Sequence, residues 1–389
     1  MEQILFIDII KSIIVDLPEY HKLLFLSSNK YLHGIKNMIT WNTPISIHFG
    51  PILSYCNNFS KIKIDRSKYK IKKMVRQMKK LNVYIDNYFA FATEIILVTA
   101  ISDELVKFLI PSSVTHCKIR NRYTNLRILP TNISHLYLEY RYNIAHFNNW
   151  FDDINLPICS SITHLTIGIC FCPCEWTNCR IPDTIYHLYV SNCNDGLHMV
   201  LPSSLTSLSL ESDNWCNHNF NPSFNPSRLT NLSFSDSSQI FIDKVYPLVT
   251  HLKIGYYQAD NSLASLKYFP SISHLTVGSD SYICCSVSRI PMLTSTIIYL
   301  KFGTFCNFWV DLFQSNLVYI IFSHFFNQNI DGCIPISCKY LEFGTRFRKK
   351  ISISVLQQVS QIKIYKMYPH FELINKYFQG ELVVYQKKN

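Results

Sequence analysis

IPSSVTHCKI (residues 110–119) returns as LPTNISHLYL (129–138), IPDTIYHLYV (181–190) and LPSSLTSLSL (201–210). Each copy is an apolar residue, Pro, two small or polar residues, and then apolar-x-x-apolar-x-apolar. Looser copies are SSITHLTI (160–167), NPSRLTNLSF (225–234), YPLVTHLKI (246–254), FPSISHLTV (269–277) and IPISCKYLEF (334–343). Shorter ones are STIIYLKF (295–302), SNLVYIIF (315–322) and QQVSQIKI (357–364). Aligned on the central apolar residue, the copies fall at Cys117, Leu136, Leu165, Leu188, Leu208, Leu232, Leu252, Leu275, Leu300, Ile320, Leu341 and Ile362. Successive spacings are 19, 29, 23, 20, 24, 20, 23, 25, 20, 21 and 21, so each copy marks one coil of a stacked array.

In the last part of the phrase, apolar and polar residues alternate, the period-2 pattern of a strand buried on one face. One such strand per coil, stacked in parallel, builds a sheet along the axis of the array. Pro has a fixed φ and no N–H, which suits it to the turn before the strand and excludes it from the ladder. The chain between strands must supply the opposite wall, and Phe305, Phe326 and Phe347 are the aromatics expected there. The predicted fold class is α/β, a solenoid with a parallel β-sheet over residues 109–365 of about twelve coils, preceded by a small all-helical module.

The L-x-x-L-x-L core and its interval resemble the leucine-rich repeat. More specifically, Phe326-Asn327-Gln328-Asn329-Ile330, followed by Gly332 and Ile334-Pro335, resembles the FNIP repeat, a leucine-rich-repeat-like family. Leu201–Leu208 is similar to the other half of that repeat, and Gly303-Thr304-Phe305 and Gly344-Thr345-Arg346-Phe347 to its Gly-x-x-Phe element. The resemblance covers about 110–365 and implies a protein-binding solenoid.

Residues 1–44 read differently. Ile9, Ile10, Ile13, Ile14 and Leu17 share one helical face that Pro18 ends; Leu23, Leu24 and Leu26 suit a second short helix. Ser28 can cap a third, with Tyr31, Leu32, Ile35, Met38 and Ile39 inward. This segment resembles an F-box, on Leu5, Phe6, Asp8, Ile9, Ile10, Ile13, Ile14 and Leu17, then Ser27 to Tyr31, and Trp41. Phe6 stands where that family places Pro, and the interval from Leu17 to Leu26 is one residue short. The resemblance implies docking to a Skp-type adaptor of a cullin ubiquitin ligase through Leu5, Phe6, Ile9, Ile10, Ile13, Leu17, Leu23 and Leu26. It also implies a target protein held by the repeats, and a combination of domains abundant in giant amoebal viruses.

Residues 45–108 are expected to be a linker and an N-terminal capping region, and 366–389 a helix-plus-strand C-terminal cap. The net charge of +11 is concentrated in Lys61–Lys80, where ten Lys/Arg face the single Asp65. Ile71, Met74, Val75, Met78 and Leu81 keep helical spacing there, so a basic amphipathic helix closing the sheet is expected. The run can attract phosphates by charge, which keeps an electrostatic nucleic-acid binder as an alternative. It lacks the interleaved aromatics of sequence recognition. Nowhere do 18 apolar residues run together, and no basic region precedes the apolar N-terminus, so neither a membrane span nor a secretory signal is expected. The 14 cysteines are therefore expected as thiols in a cytoplasmic setting, the host cytoplasm if the chain is viral.

His116, His135, His164, His187, His251 and His274, continued by Tyr299, Tyr319 and Tyr340, recur at one repeat position. On a stacked sheet they form one exposed column, which can be a structural ladder, a chelating or pH-sensing row, or a partner-binding face. Cys170, Cys172, Cys174 and Cys179 cluster, but without the C-x2-C pairs of structural zinc, and no metal site is assigned. No G-x-S-x-G, Walker A, H-E-x-x-H or strand-linked G-x-G-x-x-G occurs, so neither an enzyme nor a cofactor is expected. The function expected is protein binding, as a ligase adaptor or as a stand-alone solenoid that sequesters a host protein.

Overall fold

The structure, a computed structural model, describes residues 45–46, 61–64, 92–98, 110–120, 129–140, 160–169, 181–191, 201–211, 227–234, 245–254, 263–278, 295–304, 306–307 and 316–386. The chain divides into two units, Met1–Tyr142 with Pro157–Gly168, and Asn143–Leu156 with Ile169–Asn389. The F-box-like segment 1–44, the helix expected over 71–81, and the cysteine cluster 170–179 lie outside the described residues.

In the first unit, strands β1 (Ile45–Ser46), β2 (Lys61–Ile64), β3 (Glu94–Leu97), β4 (His116–Ile119), β5 (His135–Tyr140) and β6 (His164–Ile169) follow one another across a parallel sheet in chain order. The second unit continues with β7 (His187–Ser191), β8 (Ser207–Glu211), β9 (Asn231–Phe234), β10 (His251–Ile254) and β11 (His274–Val277). It ends in β12 (Tyr299–Phe302), β13 (Tyr319–Ile321), β14 (Tyr340–Glu342), β15 (Gln361–Tyr365) and β16 (Glu381–Tyr385), again parallel and in chain order. Each unit is thus a parallel β-solenoid of the leucine-rich-repeat type. Helices α1 (Ile353–Gln358) and α2 (Phe371–Tyr377) touch each other and bury Val355, Leu356 and Ile374. Among the described residues no helix is long and apolar enough to cross a membrane.

The register is zero-offset. Ile95 pairs with Cys117 and Cys117 with Leu136; Leu188, Leu208, Leu232, Leu252, Leu275, Leu300, Ile320, Leu341 and Ile362 pair in unbroken succession. Every one of these is buried, so the central apolar residue of each repeat copy is the core column of its unit. Pro contributes upstream, where its carbonyl closes a four-residue turn. The Val114 amide donates to Pro111 O at 3.1 Å and the Cys338 amide to Pro335 O at 3.0 Å. The small residue before the buried apolar one ties neighbouring coils. Ser113 Oγ donates to Ala92 O at 2.7 Å, Ser204 Oγ to Ile185 O at 2.9 Å and Ser337 Oγ to Leu317 O at 2.7 Å.

The region 45–108, read as linker and cap, carries β1, β2 and β3. Lys61–Ile64, the start of the basic run, is a strand and not part of a helix. The physical reason lies in the phrases Ser60-Lys61-Ile62-Lys63-Ile64 and Thr93-Glu94-Ile95-Ile96-Leu97. The first keeps the alternation that makes a strand and the second keeps apolar residues at its inward positions, Ile95 and Leu97, but both lack the Pro turn that marks the later copies. At the other end, α2 and β16 occupy the segment read as a cap, and β16 pairs with β15 in the same register as the rest.

Two aromatic rows fill the last coils. Phe302, Phe322 and Phe343 stack along the strand ends with centroids 5.9 and 5.2 Å apart. Phe326, Phe347 and Tyr368 stack behind them at 6.0 and 5.8 Å, and the rows meet at 4.3 Å between Phe322 and Phe326 and between Phe343 and Phe347. Phe326 and Phe347 are in the core as expected, while Phe305 lies outside the described residues. Asn307 Oδ1 accepts the Asn327 amide at 2.9 Å, and Asn327 Oδ1 accepts the Arg348 amide at 2.8 Å. In the Phe-Asn pair, Phe therefore packs inward while Asn ties its turn to the next coil. At Gly344 a Cβ would run into the Ser323 carbonyl oxygen, so only Gly lets these turns close on one another.

In urea unfolding, Phe343→Ala is expected to cost about 3–5 kcal/mol for the lost core ring. Asn327→Ala should cost about 1 kcal/mol for one lost inter-coil hydrogen bond. Equal effects would sink the assignment of core and tie to these two positions.

Candidate functional site

From β4 to β15 the residues flanking the central buried one stand on the opposite, outward face of their strand, half-buried or exposed, and on β3 Ile96 holds that position but is buried. The outward column before it runs Glu94, His116, His135 and, on the next strand, His164 in the first unit. In the second unit it runs His187, Ser207, Asn231, His251, His274, Tyr299, Tyr319, Tyr340, Gln361 and Glu381. All nine His and Tyr residues picked from the sequence therefore lie in this outward position, three in the first unit and six in the second. Two non-aromatic members, Ser207 and Asn231, separate His187 from His251.

The imidazoles stack face to face, with centroids 4.1 Å apart for His116–His135, 4.0 Å for His135–His164 and 4.2 Å for His251–His274. Ring planes in these pairs differ by 14° to 17°. The row continues through His274–Tyr299 at 5.3 Å, Tyr299–Tyr319 at 6.2 Å and Tyr319–Tyr340 at 5.8 Å. Each of five imidazoles is also fixed from behind by the hydroxyl just before it in sequence. Nδ1 lies 2.8 Å from the hydroxyl oxygen in Thr115–His116 and Ser134–His135, and 2.9 Å in Thr163–His164, Thr250–His251 and Ser273–His274. Thr250 Oγ1 and Ser273 Oγ also reach the preceding coil's carbonyl at 3.4 and 3.3 Å. A hydroxyl that gives its one proton to that carbonyl accepts from Nδ1–H, which leaves Nε2 as an outward acceptor.

Near-parallel rings present their nitrogens side by side, not convergent on one point, so this geometry does not support the chelating reading. Among the described residues no group of three or more His, Cys, Asp or Glu is placed to hold a metal ion. Burial pushes the thiols of Cys117 and Cys338 up to about 12, so both stay protonated and unreactive.

A second outward column, after the buried residue, was not singled out from the sequence although the same period marks it. It runs Ile96, Lys118 and Tyr137 in the first unit, and Tyr189, Ser209, Ser233, Lys253, Thr276, Lys301, Ile321, Glu342 and Lys363 in the second. Its charges are partly paired. Lys118 and Arg120 meet Glu139 at 2.8 and 2.9 Å, and Lys118 lies 4.0 Å above the Tyr137 ring. Burial alone would raise the Glu139 carboxyl, but Lys118 and Arg120 outweigh it and hold it below its ordinary value. Lys363 meets Glu342 at 2.9 Å, and Tyr340 Oη donates to Glu342 at 2.8 Å. Burial and that carboxylate raise the Tyr340 phenol, keeping it a hydrogen-bond donor at neutral pH.

The FNIP Repeat family model matches residues 326–357, which include the Phe326–Ile330 phrase. No curated protein matches this chain. Among solved structures, CroV588, a novel circular leucine-rich-repeat protein, is similar at 20% identity and a TM-score of 0.48. That alignment covers 84% of this chain and 56% of CroV588, so the chain spans just over half the length of that protein. The leucine-rich-repeat protein LegL7 from Legionella pneumophila is similar at 12% identity over 89% of this chain and 91% of its own, with a TM-score of 0.29.

Burial, and then the neighbouring His251, lower the pKa of His274 below its ordinary 6.5. A depressed histidine disfavours protonation in the folded state. Its contribution is therefore intact above pH 6.5 and is lost as pH falls through that value toward the folded pKa. In NMR titrations of the histidine ring protons, His274 is expected to titrate below 6.5 and to move upward in His251→Asn. An unchanged midpoint in that variant would remove the coupling between the stacked rings.

Proposed function

We propose that this protein is a binding solenoid that holds another protein against its outward strand face, and that its N-terminal segment docks it to a Skp-type adaptor of a cullin ubiquitin ligase. The observation that carries the first half is the zero-offset outward face. Two side chains per strand stand in fixed columns, rich in His, Tyr and Lys, on a scaffold whose backbone hydrogen bonds run from coil to coil. A rigid, pre-ordered face loses little conformational freedom on association. Exposed Tyr and Lys beside hydroxyls supply the amphipathic contacts on which protein interfaces rest.

The second half rests on the F-box resemblance of Leu5, Phe6, Ile9, Ile10, Ile13, Leu17, Leu23 and Leu26. In this reading the protein performs no transfer chemistry. It raises the effective concentration of a target beside the ligase, and it acts in the cytoplasm, that of the host if the chain is viral. The FNIP match at residues 326–357 supports the repeat half of that pairing.

The test is a pull-down from eukaryotic lysate with three full-length forms. The native chain should recover a Skp-type adaptor, a cullin and a target protein. A Leu5→Ala, Ile9→Ala, Ile13→Ala variant should lose adaptor and cullin but keep the target. Tyr319→Ala with Ile321→Ala, both outward on β13, should weaken target recovery about tenfold and keep the adaptor. Adaptor recovery that ignores the first variant overturns the ligase half. In that case a target still held by the native chain makes the protein a stand-alone solenoid that sequesters its partner.

A further inference from the structure

In the second unit the two outward columns lose their large side chains together on β8 and β9. On β8 and β9 the large side chains give way to Ser207, Ser209, Asn231 and Ser233, while β10 restores them with His251 and Lys253. A recess of about 370 Å³ opens there on the face of the sheet, lined by those small residues at one end and by His251, Lys253, His274, Thr276 and Tyr299 along the rest. Beyond β8, outside that lining, β7 carries His187 and Tyr189. With neighbouring strands about 4.8 Å apart, the gap between the strands bearing large side chains is roughly 14 Å. That admits one side chain and the backbone bearing it, and the volume lies within the range of about 300–1,000 Å³ typical of ligand pockets.

Its chemistry has one sign. The lining offers serine hydroxyls, a carboxamide and the Lys253 ammonium, and among the described residues no carboxylate lines the space. Lys253 makes no ion pair among the described residues, unlike Lys118 with Glu139 and Lys363 with Glu342. Glu211, the next outward position of β8 beyond Ser209, lies outside the lining and receives the Tyr189 hydroxyl. Converging donors around an unneutralised cation favour an anion, and charge-assisted bonds to a carboxylate are about twice as strong as neutral ones.

The geometry points to the recess as the docking site for an acidic segment of the partner protein, one Asp or Glu carboxylate entering over β8 and β9 to meet the Lys253 ammonium and the serine hydroxyls. This deepens the protein-binding reading and rests on it. A carboxylate fits better than a nucleic-acid backbone on two counts. Phosphate binding gains affinity by neutralising many charges at once, and among the described residues Lys253 is the only Lys or Arg lining the recess. Bases need open aromatic faces, whereas the neighbouring rings of His251, His274 and Tyr299 stack on one another.

The test uses the full chain and fluorescein-labelled hexaglutamate in fluorescence anisotropy, with hexaglutamine and an oligothymidylate of equal charge beside it. Hexaglutamate should bind saturably and hexaglutamine should not. Lys253→Glu should weaken binding about tenfold or more, and Lys253→Arg should retain it. Ser209→Trp, which fills the recess without changing charge, should abolish it. Lys301→Glu, on the same face but outside the recess, should change it less than about twofold. Equal effects of Lys253→Glu and Lys301→Glu would show diffuse attraction and overturn the proposal, as would tighter, Lys253-dependent binding of oligothymidylate or no saturable binding of hexaglutamate. Near-ultraviolet circular dichroism checks the fold of each variant, and Lys253→Arg keeps the test decisive should Ser209→Trp misfold. A target protein lost with Tyr319→Ala, Ile321→Ala but indifferent to Lys253→Glu and Ser209→Trp would leave the protein-binding reading intact while the recess fails.

Discussion

Everything in this architecture hangs on one backbone contact repeated at the entrance to β4, β5 and β6 in the first unit and to β8 through β15 in the second. A single carbonyl of one coil accepts two consecutive amides of the next. Thr230 O takes the Thr250 and His251 amides at 2.9 and 3.1 Å, Thr250 O takes those of Ser273 and His274 at 2.9 Å each, and Val318 O takes those of Lys339 and Tyr340 at 2.9 and 3.0 Å. This pair of bonds sets the axial register at zero before the strand ladder begins. A slip of one residue would turn every inward side chain outward. It would place Lys253, Lys301 and Lys363 in the core and expose the column headed by Leu252. The cost rises with each coil that shares the error, so correct register at one coil enforces it at the next.

Zero offset also explains why like stacks on like. Identical positions in successive coils lie one strand spacing apart, near the distance at which flat rings touch. Imidazoles gather outside at 4.0 to 4.2 Å, and phenyl rings gather inside at 5.2 to 6.0 Å where the strand ends meet the return chain. The same rule produces the asparagine tie from Asn307 to Asn327 to Arg348 and the serine tie to each preceding carbonyl. Neither tie needs the side chain of its neighbour to be the same residue, because the acceptor or donor on the other coil is backbone.

That difference decides what the sequence makes legible. Columns of side chain on side chain leave a repeating residue type, so the buried leucines and the outward His and Tyr positions are visible before any coordinates. The first coils are hidden because β2 and β3 keep apolar residues at Ile62, Ile64, Ile95 and Leu97 but drop the Pro turn. The serine and asparagine ties are hidden because their partners carry no signature. The recess is hidden for a third reason. It exists where a column stops repeating, at Ser207 and Asn231, and a search for matches passes over the interruption as noise.

Interruption is where a periodic surface acquires information. A perfect ladder would present the same relief at every coil and offer a partner no preferred position along the axis. The scaffold fixes backbone height, spacing and direction, so a change from His or Tyr to Ser at one coil becomes a dent of defined width. A change in charge becomes a defined point on a line. The second unit uses both devices, with small residues on β8 and β9 beside the unpaired Lys253, and then a stretch from Tyr299 to Tyr340 whose rings occupy each other and whose Glu342 is held by Lys363 and Tyr340. Specificity in such a molecule therefore lies less in what its repeats share than in the coils that depart from them, and mutating the consensus probes stability while mutating the departures probes recognition.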